Sequence, residues 1–121
     1  MKLCIPTIGA RLQLIEDWTF GVYCDYRNRT LETLGSVSVF DNDDKLRWES
    51  YGKKVGNFTF PKDTVLSLER IYIRQNKEQY DSVTFKVVST PLKSKEGVKK
   101  KMVRFWVKLE DVNNIAFEFA I

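Results

Sequence analysis

Apolar side chains recur at every second position through most of the chain, the pattern of strands buried on one face. Across residues 11–16, Leu12 and Leu14 share one side, and after Glu16 and Asp17 the series Trp18, Phe20, Val22, Cys24 alternates with Thr19, Gly21 and Tyr23. This predicts two strands, or one strand bent at the acidic pair. Segments 36–40 and 46–51 flank Asp41, Asn42, Asp43 and Asp44. Short polar side chains of that kind bond to nearby backbone, so a hairpin is expected there. Asn57 to Phe60 reads as a short strand closed by Pro61, followed by a turn and a long run over residues 64–74. Within that run Leu66 and Leu68 share one parity while Ile71 and Ile73 share the other. Burying both pairs needs one extra residue near Glu69 and Arg70, which is what a β-bulge supplies.

Two more strands follow. Residues 82–89 bury Val83, Phe85 and Val87, and residues 102–109 bury Val103, Phe105, Val107 and Leu109. Between them, residues 92–100 read as a solvated basic loop around Gly97. After a short turn or single helical turn at 110–114, a closing strand at 115–121 buries Ile115, Phe117, Phe119 and Ile121. Helical spacing is confined to residues 25–34, where Asp25 can cap, Leu31 and Leu34 share a face, and Gly35 suits the exit. The expected fold is mostly β: one compact antiparallel barrel or sandwich, Src-homology-like or OB-like, with about seven strands and at most one short helix.

The length of 121 residues, with 43% hydrophobic and 30% charged, suits a single folded domain spanning 1–121. No apolar run is long enough to cross a bilayer, and the Pro-broken start is too short for a secretion signal, so a cytoplasmic location is expected. There is no His at all. That removes imidazole bases, imidazole metal ligands and the nucleophilic triads that depend on them, so no enzyme, metal or cofactor is expected. Cys4 and Cys24 are expected as thiols, since nothing places the chain in an oxidising compartment. For the same reason the sequons at Asn28-Arg29-Thr30 and Asn57-Phe58-Thr59 carry no weight. Asp41 to Asp44 open like a calcium loop, but Leu46 and Gly52 stand where Gly and Glu are required. Glu16 and Asp17, adjacent on a strand, point to opposite faces and make no acid–base pair.

The excess charge of +4 lies in the second half of the chain, which holds 12 basic and 8 acidic residues. Between Lys86 and Lys108 eight cations face the single acid Glu96. With Phe105 and Val107 inward, Arg104, Trp106 and Lys108 face outward, so an indole sits between two cations beside Lys99, Lys100 and Lys101. A base could stack there while the cations meet phosphate. The alternative has Trp106 covered by a neighbouring segment and the lysines as a solubilising loop. Arg70, Tyr72 and Arg74 form a second outward stripe of cation, aromatic, cation. Two such stripes side by side would make a stronger platform, but it could equally be ordinary cross-strand packing.

The blocks Glu16-Asp17-Trp18-Thr19-Phe20, Leu68-Glu69-Arg70-Ile71-Tyr72-Ile73-Arg74 with Tyr80-Asp81-Ser82-Val83-Thr84-Phe85, and Arg104-Phe105-Trp106-Val107-Lys108-Leu109 resemble small uncharacterised proteins of bacteriophages and mobile elements. The similarity covers most of the chain and assigns no site residue. It implies a non-enzymatic accessory protein acting in the host cytosol, blocking an enzyme or sequestering a ligand. Two functions follow as expectations. The first is a non-catalytic module binding a nucleotide ligand or nucleic acid through Arg104, Trp106, Lys108 and the lysine loop, extended by Arg70, Tyr72 and Arg74. The second is a protein-binding inhibitor or adaptor that presents aromatics such as Tyr23, Tyr26, Trp48 or Tyr51. In either case an exposed sheet edge could pair with a second copy, giving a homo-oligomer.

Overall fold

The computed structural model describes residues 8–25, 27–34, 53–73, 81–92 and 102–120. Among them are seven strands: β1 (Arg11–Leu14), β2 (Trp18–Tyr23), β3 (Lys54–Phe60), β4 (Val65–Tyr72), β5 (Ser82–Ser89), β6 (Arg104–Lys108) and β7 (Phe117–Ala120). A 3-10 helix (Asn28–Thr33) follows β2, and one helical turn, α1 (Leu109–Val112), joins β6 to β7. All pairings are antiparallel, in a five-stranded sheet ordered β6-β5-β4-β1-β7 and a two-stranded sheet β2-β3. The chain is thus mostly β, and no described helix is long and apolar enough to cross a membrane.

The bend at Glu16 and Asp17 moves the chain from one sheet to the other. Among the described residues β1 pairs with β4 and β7, while β2 pairs only with β3. Asp17 Oδ1 fixes this corner by accepting from Lys62 N at 2.8 Å, which ties the β1–β2 bend to the β3–β4 turn. In that turn Thr64 N donates to Pro61 O at 3.3 Å and Asp63 adopts φ 77°. A positive φ at this third turn position is the type II geometry that glycine serves best.

One core joins the two sheets. Phe20 of β2 lies stacked on Phe105 of β6, with centroids 5.2 Å apart and planes 12° apart, and it also meets Trp18, Phe58 and Phe60. Leu12, Leu14, Leu66, Leu68, Phe85 and Val107 complete the fully buried set from the larger sheet. Deleting a ring at such a position costs about 3–5 kcal/mol through lost burial and the cavity left behind.

The expected bulge is present. β4 pairs with β5 in register through Leu68, skips Glu69, and resumes at Arg70 opposite Thr84, so Leu66, Leu68 and Ile71 all face the core side, whereas Ile73, expected inside, lies beyond the end of β4 and is 59% exposed. A second shift at Val65/Leu66 has no signal in the sequence. Several expectations need correction. The helix placed at 25–34 is a shorter 3-10 helix whose N-cap is Arg27, with Asp25 accepting from Arg27 N at 2.8 Å. Phe119, expected inside, is 61% exposed, because β7 is the edge strand and the small sheet does not reach over it. Leu109 starts α1 and is only half-buried. The hairpin at 36–51, with Asp41 to Asp44, and the basic loop beyond Leu92 lie outside the described residues.

Among the described residues the sheets are not joined into a closed barrel by backbone pairing: β2 and β6 approach each other but belong to different sheets. Side chains bridge the gap. Asp111 of α1 accepts from Gly21 N through Oδ2 at 3.0 Å, and its carbonyl accepts from Trp18 Nε1 at 3.2 Å. Asn28 bridges the other end, donating through Nδ2 to Tyr23 O at 2.9 Å and accepting from Trp106 N through Oδ1 at 2.9 Å.

Candidate anion-binding face

Bulge and register together decide which side chains share the outward face of the larger sheet. Three rows cross it from β4 through β5 to β6: Tyr72, Ser82, Lys108; then Arg70, Thr84, Trp106; then Ser67, Lys86, Arg104. The two cation–aromatic stripes therefore lie on one face, parted by the single strand β5, whose Ser82 and Thr84 are short. Strands sit about 4.8 Å apart, so the stripes are about 10 Å apart with a shallow trough between them.

A small cleft of about 240 Å³ opens over the middle of this trough, lined by Arg27, Glu69, Arg70, Thr84 and Arg104. Three arginines thus share the cleft with Thr84. Two carboxylates temper them: Glu69 Oε1 lies 3.4 Å from Arg104 Nη2, and Asp25 Oδ1 lies 3.7 Å from Arg27 Nε. The Arg104 and Arg27 side chains are 47% and 49% exposed, so both pairs are weak and can exchange partners. Glu69 is at the cleft because the bulge leaves it unpaired beside Arg70.

Trp106 is half-buried. Tyr23 stacks on its indole at 5.5 Å between centroids and 19° between planes, and Lys108 Nζ lies 4.5 Å from the centre of the Tyr23 ring. The aromatic most open to solvent on this face is instead Tyr72, 50% exposed at the end of β4. Of the residues singled out from sequence, Arg70, Tyr72, Arg104, Trp106 and Lys108 come together here. Arg74 and Lys99, Lys100 and Lys101 lie outside the described residues, as do Tyr26, Trp48 and Tyr51.

Four contributors escaped the sequence reading. Arg27 reaches the cleft only because the 3-10 helix docks on β6, and no local pattern announces that. Thr84 is 6% exposed on the outward face, between Arg70 and Trp106, where strand parity alone would leave it open. Asn28 and Thr30 had a signal that pointed elsewhere, the sequon. Asn28 is fully buried with both amide atoms bonded, so in the folded chain it is no glycan acceptor. Thr30 Oγ1 accepts from Arg104 N at 3.1 Å and lies 2.8 Å from the carbonyls of both Arg104 and Arg27, one of which takes its proton. These two residues occupy two outward N–H groups of the edge strand β6, those of Arg104 and Trp106.

A second, larger cavity of about 580 Å³ lies at the far end of β5 and β6, lined by Leu34, Val87, Val88, Leu92, Met102 and Val103 among others. Compared with protein families, curated proteins and solved structures, the chain matches none.

Proposed function

We propose that this chain is a non-catalytic binding protein, a two-sheet sandwich with barrel-like curvature acting in the cytoplasm, whose β4–β5–β6 face takes a phosphate-bearing ligand, a nucleotide or nucleic acid. The observation that carries this reading is the convergence of Arg27, Arg70 and Arg104 around Thr84, flanked by Lys86 and Lys108 along the same face. Guanidinium groups present paired N–H donors that match phosphate oxygens. A cleft of about 240 Å³ is smaller than the usual range for enclosed small-molecule sites, so it suits one phosphate group with the rest of the ligand lying across the sheet.

The test is a titration of the folded protein with a short single-stranded oligonucleotide and, separately, with a mixed nucleotide pool, read by tryptophan fluorescence at low and moderate salt. Saturable quenching that weakens with salt and disappears in Trp106→Phe supports the reading. No response to either ligand, together with no competition by them in a filter or anisotropy assay, rejects it.

The second reading is a protein-binding inhibitor or adaptor of the kind found among phage accessory proteins. It is favoured by exposed apolar side chains away from the basic face, Phe119 on the edge strand β7 and Ile15 at the β1–β2 bend. A stoichiometric protein partner retained after Arg70→Ser, and lost after Phe119→Ser, would select it.

A further inference from the structure

The shape of this face narrows the ligand beyond a phosphate-bearing anion. Resting on the anion-binding reading, we infer that the occupant is a single-stranded nucleic acid laid along β5, its phosphates held by Arg70, Arg104 and Lys108 and one base stacked on Tyr72.

Three features lead there. First, the cationic and aromatic side chains flank a single strand: Arg70 and Tyr72 on β4 and Trp106 and Lys108 on β6 stand on backbones about 10 Å apart, with Ser82 between them and Thr84, 6% exposed, at the base of the cleft that Arg27, Arg70 and Arg104 line. Cations on both sides of one strand can meet the phosphates of a single chain lying over it. Reading a duplex groove calls for a protruding helix or ribbon, whereas these side chains stand on a sheet face. Second, the cations are spread along the trough rather than gathered at one point. Lys86 and Arg104 in one row, Arg70 in the next and Lys108 in the third are separated by two residues each, about 7 Å per step. That is comparable with the separation of neighbouring phosphates in an extended single strand, whereas the lone phosphate of a nucleoside monophosphate meets one row. Third, the stacking platform is Tyr72, half-exposed in the same row as Lys108, while the Trp106 indole already has Tyr23 stacked on it. An exposed ring beside a basic track is how sequence-tolerant single-strand binding works, since every base has a π-face.

The experiment uses the full chain and a fluorescein-labelled single-stranded oligonucleotide of about 12 nucleotides, read by anisotropy. Competitors are the unlabelled strand, its duplex, a nucleoside triphosphate and inorganic polyphosphate. The expected order puts the single strand at least tenfold ahead of all others. With three phosphate contacts, raising salt from 50 to 200 mM should weaken binding about 20-fold. Tyr72→Ser should weaken it between about 5- and 150-fold, and Tyr72→Phe, which keeps the ring, should not. Both variants change an exposed strand-end residue, and unchanged thermal unfolding confirms that they fold. If duplex or polyphosphate competes equally, or Tyr72→Ser binds as well as the parent, the single-strand inference is overturned and the anion-binding reading stands. A nucleoside triphosphate that binds where the single strand does not has the same consequence. Failure of every anion to bind overturns both.

Discussion

Asn28 and Trp106 are joined by a hydrogen bond from the Trp106 backbone N–H to Asn28 Oδ1, 2.9 Å long, and the same amide group donates to Tyr23 O at 2.9 Å. One buried side chain therefore stands in for a missing strand between the edges of two sheets. Removing it takes this partner from two part-buried backbone groups, each worth about 1–3 kcal/mol. Asn28→Ala should therefore lower the unfolding free energy by about 2–4 kcal/mol in urea denaturation. Asn28→Asp keeps the acceptor for Trp106 but loses the donor to Tyr23, and it should also destabilise. A loss below about 0.5 kcal/mol for Asn28→Ala would show that water replaces the bridge at no cost.

The Tyr23–Trp106 stack is the second test. Offset aromatic pairs contribute about 0.5–1.5 kcal/mol beyond their burial, so a cycle of Tyr23→Ala, Trp106→Ala and the double variant should return a coupling energy of that size. Independent effects would mean that the rings touch without favouring each other. Because the indole carries this packing, Trp106→Ala is expected to cost stability as well as binding. Trp106→Phe is the cleaner variant for ligand work.

Glu69 opposes the proposed function. Its carboxylate lies 3.4 Å from Arg104 Nη2 inside the cationic cleft, where an incoming phosphate must compete with it. Glu69→Gln should raise affinity for a single-stranded oligonucleotide several-fold at low salt. Stability should change by less than about 1 kcal/mol, as expected for a partly exposed ion pair. Unchanged or weaker binding would place the ligand away from this cleft.

Asp63 tests the turn that carries the chain between sheets. At φ 77° it occupies a conformation that Gly adopts freely and β-branched residues resist. Asp63→Gly should be neutral or stabilising by up to about 1 kcal/mol, whereas Asp63→Val should cost roughly 1–3 kcal/mol. Thermal unfolding of the pair decides this, and equal melting temperatures would remove backbone strain as the explanation.

Period-two alternation by itself determined much of the β architecture: the paired leucines of β1, the aromatic face of β2, the full span of β5 and the bulge at Glu69 were legible from parity. Alternation reports which face a side chain takes once a strand exists, and a slip in it can only be absorbed by an extra residue. The outward placement of Arg70, Tyr72, Arg104, Trp106 and Lys108 follows from the same rule. What parity does not carry is strand order. That β4 and β6 flank β5, that Arg27 is delivered to the gap between them, that Tyr23 covers Trp106, and that Phe119 is left open at a sheet edge were decided only by long-range pairing and helix docking. Those outcomes depend on which surfaces meet after the chain closes on its core, and residues far apart in sequence leave no local trace of that choice.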